Sequence, residues 1–339
     1  LGTLGAPEAE PFSSVRDAVQ LTDVRILVPE ASDQEIRVFS EDGVFLESWG
    51  RRGEGPGEFR GINDLFLLPG DTVGVYDLGT RRYTLLDSRG EFLSISDPHR
   101  QLSYTAGFFS GDILATYRDF PAGEDGIVEG PPIWVVMTSF DGDTLAQIGP
   151  FPGSQVYRVS RATSRGQTHF ALPLLLSPKT HVAANAYGVW TGHGSSNEIS
   201  LHSELGGKIA SVRLPYSRRP TSRREVQGFV DREAPPGGTR PETREVHLEM
   251  AETVPVPDSL PWYDEMTCDL VRGVWVREYP EADSDLRFWW RLEPGVDSVT
   301  RVELPSRLRR VYQLTGASVL GVEFGEFGEP MVVLYDLLP

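Results

Sequence analysis

The sequence predicts an all-β fold assembled from repeated four-stranded sheets. One strand–turn–strand unit recurs six times along the chain. The 35 glycines and 26 prolines favour many turns over long helices. The 339 residues exceed what one compact core usually holds, and radial repeat folds escape that limit because each repeat adds its own core.

The repeating hairpin is clearest in residues 35–49 and 82–95. Each copy places a turn ending in glycine, Gly43 or Gly90, between two runs of alternating side chains, which is typical of a β-hairpin. Further copies follow at 134–148, 199–214 and 287–304, and the last copy, 331–337, is incomplete.

Two more strand-like runs precede a hairpin, such as 62–68 and 72–76 before 82–95. One repeat is therefore four antiparallel strands, which is a propeller blade, and six hairpins predict a six-bladed β-propeller. The last copy lacks an outer strand, whereas Leu1–Gly5 forms a short strand without partners of its own. We predict that this N-terminal strand completes the last blade and closes the ring.

Insertions between strands explain why the spacing of the hairpins grows along the chain. The largest insertion, 218–261, is predicted to hold a helix at 222–232, with Thr221 or Ser222 as its N-cap, and a second short helix at 242–252. A smaller insertion spans 151–179. We interpret 1–339 as a single propeller that carries 218–261 as an inserted loop and helical segment.

The charge balance restricts the partners. The chain has 49 acidic and 32 basic residues, a net charge of −17, whereas phosphate binding needs a basic footprint. Nucleic acid is therefore excluded as an expected partner, and an anionic membrane surface is disfavoured for the same reason. No apolar run reaches the length of a membrane span, so we expect no transmembrane segment in this chain.

A single cysteine, Cys268, excludes an intramolecular disulfide and leaves the compartment open. We interpret Cys268 as a small core residue rather than a nucleophile, because free cysteine is among the most buried residue types. The chain begins at Leu1 without methionine, which is compatible with a removed signal or an N-terminal anchor.

Residues Gly53–Phe59, which follow the strand ending at Trp49, resemble the linker between blades in propellers of the NHL-repeat type. Through its repeats the whole chain resembles the bacterial six-bladed propellers of that type. These proteins are commonly exported or lipid-anchored, and most have no assigned activity. The resemblance implies a periplasmic or otherwise extracytoplasmic location, with membrane association through an anchor or a partner.

Chemical motifs are weak. The stretch Gly50–Gly57 lacks the Gly-Lys-Ser/Thr ending of a phosphate loop, and none of the six histidines has a metal-ligand spacing. No order of Ser, His and Asp stands out. The sequence therefore predicts no catalytic residue, no cofactor and no metal ligand outright.

The central channel is the one place where a propeller gathers distant polar residues. Candidates to line it are Arg16, Asp17, Asn63, Asp64, His181 and Asn185. Their oxygens could bind Ca²⁺ or a polar ligand. The interpretation we favour is that they cap turns and satisfy buried backbone groups.

We expect a non-catalytic binding or scaffold protein, an accessory subunit that contacts another protein or a membrane-bound complex through the 218–261 insertion. The candidate contacts are Arg223, Arg224, Phe229, Arg232, Trp262 and Tyr263. A dense aromatic group comprises Trp262-Tyr263, Trp275 and Phe288-Trp289-Trp290, and for this group packing between blades is favoured over a partner surface. Two alternatives stay open: a metal-dependent hydrolase, lactonase or lyase with its site in the channel, and a small-ligand or glycan site at the channel mouth.

Overall fold

The computed structural model describes residues 2–4, 12–97, 104–107, 112–117, 125–163, 166–185, 187–235, 241–269, 272–325 and 328–337. Within them the chain forms six four-stranded sheets, one three-stranded sheet, one two-stranded sheet and two α-helices. The fold is all-β apart from the two helices.

In the first half of the chain the strands are β1 (Gly2–Leu4), β2 (Val19–Gln20), β3 (Ile26–Glu30), β4 (Glu35–Phe39), β5 (Phe45–Trp49), β6 (Arg51–Arg52), β7 (Glu58–Phe59), β8 (Ile62–Leu68), β9 (Thr72–Asp77), β10 (Arg82–Leu86), β11 (Phe92–Ser96), β12 (Tyr104–Gly107), β13 (Ile113–Tyr117), β14 (Gly126–Val128), β15 (Trp134–Thr138) and β16 (Thr144–Gln147). In the second half the elements are β17 (Val156–Thr163), β18 (Gly166–Pro173), β19 (Thr180–Asn185), β20 (Gly188–His193), β21 (Glu198–His202), β22 (Lys208–Arg213), α1 (Arg223–Glu233), α2 (Pro241–Thr253), β23 (Tyr263–Cys268), β24 (Val274–Glu278), β25 (Leu286–Leu292), β26 (Thr300–Pro305), β27 (Arg310–Leu314), β28 (Ser318–Phe324) and β29 (Pro330–Asp336).

Each four-stranded sheet is a blade whose strands follow chain order from the axis outward. Blade 1 is β2–β5, blade 2 is β8–β11, blade 3 is β12, β13, β15 and β16, blade 4 is β19–β22, blade 5 is β23–β26, and blade 6 is β27–β29 followed by β1. The six innermost strands lie beside one another in order, and the last, β27, lies beside the first, β2.

The hydrophobic core consists of layers between neighbouring blades. Leu27 and Ile36 of blade 1 share one cluster with Val73 of blade 2, and Ile26 of blade 1 shares another with Leu320 of blade 6. The other four junctions each hold a cluster of the same kind. Burial of each large aliphatic side chain contributes about 1.5–3 kcal/mol, so every blade depends on both neighbours.

Blade position explains the burial patterns of the strands. All five residues of β3, the second strand of blade 1, are buried because neighbouring blades cover both of its faces, whereas the outermost strand of blade 2, β11, is largely exposed. In blade 5, Trp289 is buried while Phe288 and Trp290 lie on the other side under the guanidinium of Arg301, which is 3.9 Å and 5.5 Å from their ring centroids. This aromatic run follows the strand alternation expected for packing between blades.

The predicted hairpin turns carry glycine where the backbone is left-handed. Gly43, Gly90 and Gly142 have φ of 83°, 82° and 88°, a region that favours glycine. In blade 4 the left-handed residue is Gly206, one position before Gly207.

The segment that resembles the NHL linker connects blade 1 to blade 2. Its ends form a short parallel pair, β6 with β7, and Phe59 is fully buried. The backbone N–H of Gly55 donates to the carboxylate of Glu58 at 2.9 Å, which fixes the loop between the two strands.

The strand β1 is the outermost strand of blade 6. It pairs antiparallel with β29, with Gly2 opposite Leu334 and Leu4 opposite Val332. The two ends of the chain therefore belong to one sheet.

The two insertions fold against each other. The strands β17 and β18 form a hairpin that β14 joins as a third strand, and α1 and α2 form a helical hairpin. A separate hydrophobic cluster joins Leu174–Leu176 with Phe229, Val230, Val246 and Met250. We call β14, β17, β18, α1, α2 and their connections the insertion module.

The predicted smaller insertion, 151–179, contributes the β-hairpin of β17 and β18 and part of the module core. The chain enters the module after β16 and again after β22, where the outermost strand of one blade connects to the innermost strand of the next. It therefore lies on the face where the inner strands begin.

Candidate functional site

A cavity runs along the axis of the ring. Its volume is about 570 Å³, and residues from all six innermost strands or the turns next to them line it. Its middle is mostly apolar, with Leu65, Val182 and Met266 among the lining residues, and its two ends are polar. A mostly apolar cavity of this volume with a few polar groups is typical of a small-molecule site, so it is the first candidate.

Four of the predicted channel residues lie together at one mouth of this cavity. Arg16 donates from Nη1 to Oδ1 of Asn63 at 3.1 Å, and Asn63 donates from Nδ2 to Oδ1 of Asp64 at 3.0 Å. The Asp17 carboxylate accepts the backbone N–H of Leu65 at 2.7 Å. The mouth thus joins the segment before β2 to β8.

Blade 6 completes this mouth with two further hydrogen bonds. Arg310 donates to the backbone oxygen of Arg16 at 3.0 Å, and the Tyr312 hydroxyl donates to the backbone oxygen of Val15 at 3.1 Å. Much of the polar chemistry here therefore fastens the short inner strand of blade 1 between blades 6 and 2.

Asp17 is nevertheless an unusual carboxyl. Burial, followed by the nearby charge of Asp64, raises its pKa to about 7, against the lowering effects of two backbone hydrogen bonds and of Arg310. A carboxyl of this kind gains and loses its proton near neutral pH, as a general acid or base must.

A second polar group lies at the start of β23. Arg277 donates to both oxygens of Asp264, at 2.7 Å and 3.0 Å, and lies 2.7 Å from a Glu265 oxygen. Burial opposes the charge of Arg277, but the two carboxylates hold its pKa above the ordinary value. Burial raises the pKa of Glu265, against the opposing effect of Arg277.

His181, near the start of β19, packs against Tyr263 with ring centroids 5.2 Å apart. Burial lowers the pKa of His181 to about 4, so its imidazole is neutral at physiological pH. Asn185 is the last residue of the same strand, and four residues of extended chain separate it from His181 by about 13 Å. The six predicted channel residues therefore do not form one ring.

The far end of the cavity is held by backbone contacts. Asn185 donates to the backbone oxygen of Asp269 at 3.4 Å, and Asp71 accepts the backbone N–H of Thr22. Burial raises the pKa of the Cys268 thiol, with Asp269 adding to the effect. A thiol that resists ionisation is a poor nucleophile.

The sequence analysis missed Asp264, although a signal was present. In β8 and β23 the second residue of the inner strand, Asn63 or Asp264, is skipped by the strand pairing, and the same shift occurs at Tyr312 in β27. A β-bulge re-aims a side chain next to a site. The recurrence of a polar pair after the first strand residue, Asn63-Asp64 and Asp264-Glu265, could have found it.

In the described part of the chain, no three His, Cys, Asp or Glu side chains come together as a metal site would require. One cluster resembles a catalytic triad: Ser160 lies 2.9 Å from Asp125 and 2.8 Å from His169. The hydrogen bonds do not follow the order of a triad, because Ser160 lies between Asp125 and His169. Ser160 donates its proton to the Asp125 carboxylate, whose pKa is lowered.

The predicted partner contacts separate into surface and core. Arg223 and Arg224 are exposed on α1, and Arg224 forms an ion pair with Asp283. Phe229 and Tyr263 are buried, because Phe229 belongs to the module core and Tyr263 to the layer between blades 4 and 5. Neither presents a surface to a partner.

The remaining two predicted contacts are half-buried. The Arg232 guanidinium lies over the rings of Phe229, at 5.6 Å, and Tyr279, at 5.9 Å. Trp262 packs against Tyr216 with ring centroids 5.8 Å apart. Arg232 and Trp262 thus link the module to blade 5.

Comparison with known proteins agrees with this architecture. A family model described as a 6-bladed beta-propeller matches residues 10–82, which span blade 1 and the first part of blade 2. The chain has the six-bladed β-propeller fold. A search of curated proteins by sequence found no match.

Solved structures resemble the chain over nearly its whole length. A Bacteroides fragilis protein provisionally named as exported is 11% identical, with a TM-score of 0.55 over 99% of this chain and 94% of that chain. Virginiamycin B lyase from Staphylococcus aureus is 12% identical, with a TM-score of 0.45 over 96% of each chain. PQQ-bound aldose sugar dehydrogenase from Streptomyces coelicolor is 10% identical, with a TM-score of 0.46 over 98% of this chain and 96% of that chain. At such identities the likeness concerns the fold alone.

No helix among the described residues is both long and apolar enough to cross a membrane.

Proposed function

We propose that the chain is a non-catalytic binding or scaffold propeller whose contact surface is the insertion module. One observation carries this proposal: the two insertions have a common core of their own, separate from the six layers that hold the blades together. A ring of six blades does not need this core. A folded module on one face of a rigid ring is typical of a binding surface.

The proposal treats 1–339 as one propeller domain of the NHL-repeat type, with 218–261 inserted in it. Arg223 and Arg224 supply exposed charge at the start of α1, while Arg232 and Trp262 pack between the module and blade 5. The net charge of −17 favours a protein partner over nucleic acid.

We place the protein outside the cytoplasm, as an accessory subunit of an envelope or membrane-bound complex. The fold needs no disulfide, and its one cysteine is half-buried. The B. fragilis protein of similar fold is provisionally named as exported, which agrees with this location.

The base of the helical insertion allows a sharp test. Pro220 and Ser259 form an antiparallel bridge, and the N–H of Thr221 donates to the oxygen of Asp258 at 2.9 Å. Residues 221–258 can therefore be replaced by an Asn-Gly turn without stretching the chain. Affinity purification from the native organism should recover partners with the full chain and lose them with this variant. The same partners on both proteins would refute the proposal.

Because the excision uncovers apolar side chains of the module core, a second variant keeps the core intact. Arg223→Ala with Arg224→Ala should change partner recovery, whereas Arg89→Ala with Arg213→Ala, which remove two exposed arginines from the blades, should leave it unchanged.

We further propose that β1 closes the ring by completing blade 6. Its pairing with β29 supports this role, because no other segment of the described chain pairs with that edge.

A second candidate function is acid–base chemistry on a small molecule in the axial cavity, with Asp17 as the acid or base. Its pKa of about 7 favours this candidate. The carboxylates of Asp17 and Asp64 and the amide oxygen of Asn63 would be the ligands if Ca²⁺ bound at this mouth. Saturable hydrolysis of a lactone or ester that Asp17→Asn abolishes would support an enzyme. Lack of turnover across such substrates, with and without Ca²⁺, would oppose it.

A further inference from the structure

The helical hairpin carries a groove that the ring does not use. Its volume is about 750 Å³, and it lies between α1, α2 and the segment that follows α2. Side chains of Val226, Leu248, Ala251 and Val256 form the apolar part of its lining, and polar and charged side chains form the rest. Leu248 is 38% exposed and adds apolar surface at the edge of the groove.

The rim of this groove is acidic. Glu252 and Asp258 line it, and Glu245 lies on the same exposed face of α2, three residues before Leu248. Arg223 is the opposing positive charge. Within the described residues none of these four charged side chains forms an ion pair, so their charges are available to a partner.

The end of α2 strengthens this preference for a cation. The last turn of a helix carries partial negative charge and normally attracts Lys, Arg or His. The last turn of α2 has no basic residue and contains Glu252 instead. The end of α2 and the Glu252 carboxylate therefore act together on one side of the groove, while the start of α1 with Arg223 lines the other side.

We propose that this groove binds a basic amphipathic helical segment of a protein partner. An apolar side chain of that segment would lie between Val226 and Leu248, with Lys or Arg side chains against Glu245, Glu252 and Asp258. This is the helix-in-groove mode of recognition, with the charges choosing the partner. The inference rests on the proposed binding function and names the chemistry of the partner.

Fluorescence anisotropy with labelled peptides tests it. The probe is a 14-residue amphipathic peptide of leucine and lysine, and its counterpart of leucine and glutamate is the comparison. The lysine peptide should bind the full chain. Leu248→Asp should weaken that binding about tenfold, the scale of one anchor at an interface. Equal binding of the glutamate peptide, or no binding of the lysine peptide, would overturn the proposal.

A matched control separates binding in the groove from a general attraction of the lysine peptide to an acidic protein. Glu245→Lys with Glu252→Lys should weaken the lysine peptide about tenfold. Glu41→Lys with Glu91→Lys makes the same change in net charge at two exposed hairpin turns of blades 1 and 2, and should have little effect. Similar losses in both double variants would mean that the attraction is unspecific and would overturn the proposal.

Failure of the groove proposal can be told apart from failure of the proposed binding function. If excision of 221–258 removes native partners while Glu245→Lys with Glu252→Lys keeps them, the module binds partners by another surface and the groove proposal fails alone.

Discussion

At the scale of residues, the protonation state of Asp17 affects the stability of the junction between three blades. It lies before the inner strand of blade 1, accepts a hydrogen bond from Leu65 of blade 2, and is near Arg310 of blade 6. Its pKa rises from 3.8 to about 7 on folding, so the folded chain binds this proton more tightly than the unfolded chain. The resulting stability is fully present below pH 4 and is lost as the pH rises towards 7.

Asp17→Asn should therefore flatten the pH dependence of stability. Asparagine keeps an acceptor for the Leu65 N–H but carries no charge, so the variant should gain stability over the native chain between pH 5 and 8. Urea unfolding at several pH values measures this difference. An identical difference at pH 4 and pH 8 would show that Asp17 does not titrate in this interval.

Arg277 is a second residue with a defined role. Removing it leaves the half-buried carboxylates of Asp264 and Glu265 without their cation. Arg277→Met should lower the free energy of unfolding by about 3 kcal/mol, the lower end of the range for breaking a buried pair. Arg213→Met, at an exposed arginine of β22, should change it by less than about 0.5 kcal/mol. Comparable losses in both variants would refute the assignment.

At the scale of elements, the hairpins were predictable because alternation and glycine turns are local signals. The runs at 35–39 and 82–86 coincide with β4 and β10. The hairpin of β17 and β18 was missed because Pro152, Pro173 and polar residues obscure its alternation, and because its partner strand β14 comes from another loop. The cavity residues were partly predicted, but no local signal could pair Asp264 with Arg277 or place Arg310 beside Arg16.

The module core makes a prediction at this scale. Phe229→Ala removes a buried ring of α1 and should cost about 3 kcal/mol. Hydrogen exchange should accelerate in α1, α2, β17 and β18 and stay unchanged in blades 1 and 2. Phe324→Ala, at a residue that is 51% exposed, is the control and should leave exchange unchanged in the module. Acceleration spread evenly over all blades would contradict a separate module core.

At the scale of the whole molecule, the layers between blades hold neighbouring blades together. Six layers between blades hold the ring, and the layer between blades 6 and 1 joins the two ends of the chain. The three paired residues of β1 add backbone hydrogen bonds at the outer edge of blade 6.

Deletion of residues 1–5 should weaken blade 6. We expect a loss of about 2 kcal/mol in the free energy of unfolding, from a few backbone hydrogen bonds, and faster amide exchange in Val332–Leu334. Differential scanning calorimetry and hydrogen exchange measure the two effects. Unchanged exchange in β29 would contradict the proposed closure by β1.

The most direct test of the binding function is hydrogen–deuterium exchange of the chain alone and in complex with its co-purified partner. The account predicts slower exchange in α1, α2 and residues 254–258 when the partner is bound, with the cavity mouth around 16–20 and 62–68 unchanged. Protection at the cavity mouth with none in the module would contradict it and would favour a function in the axial cavity.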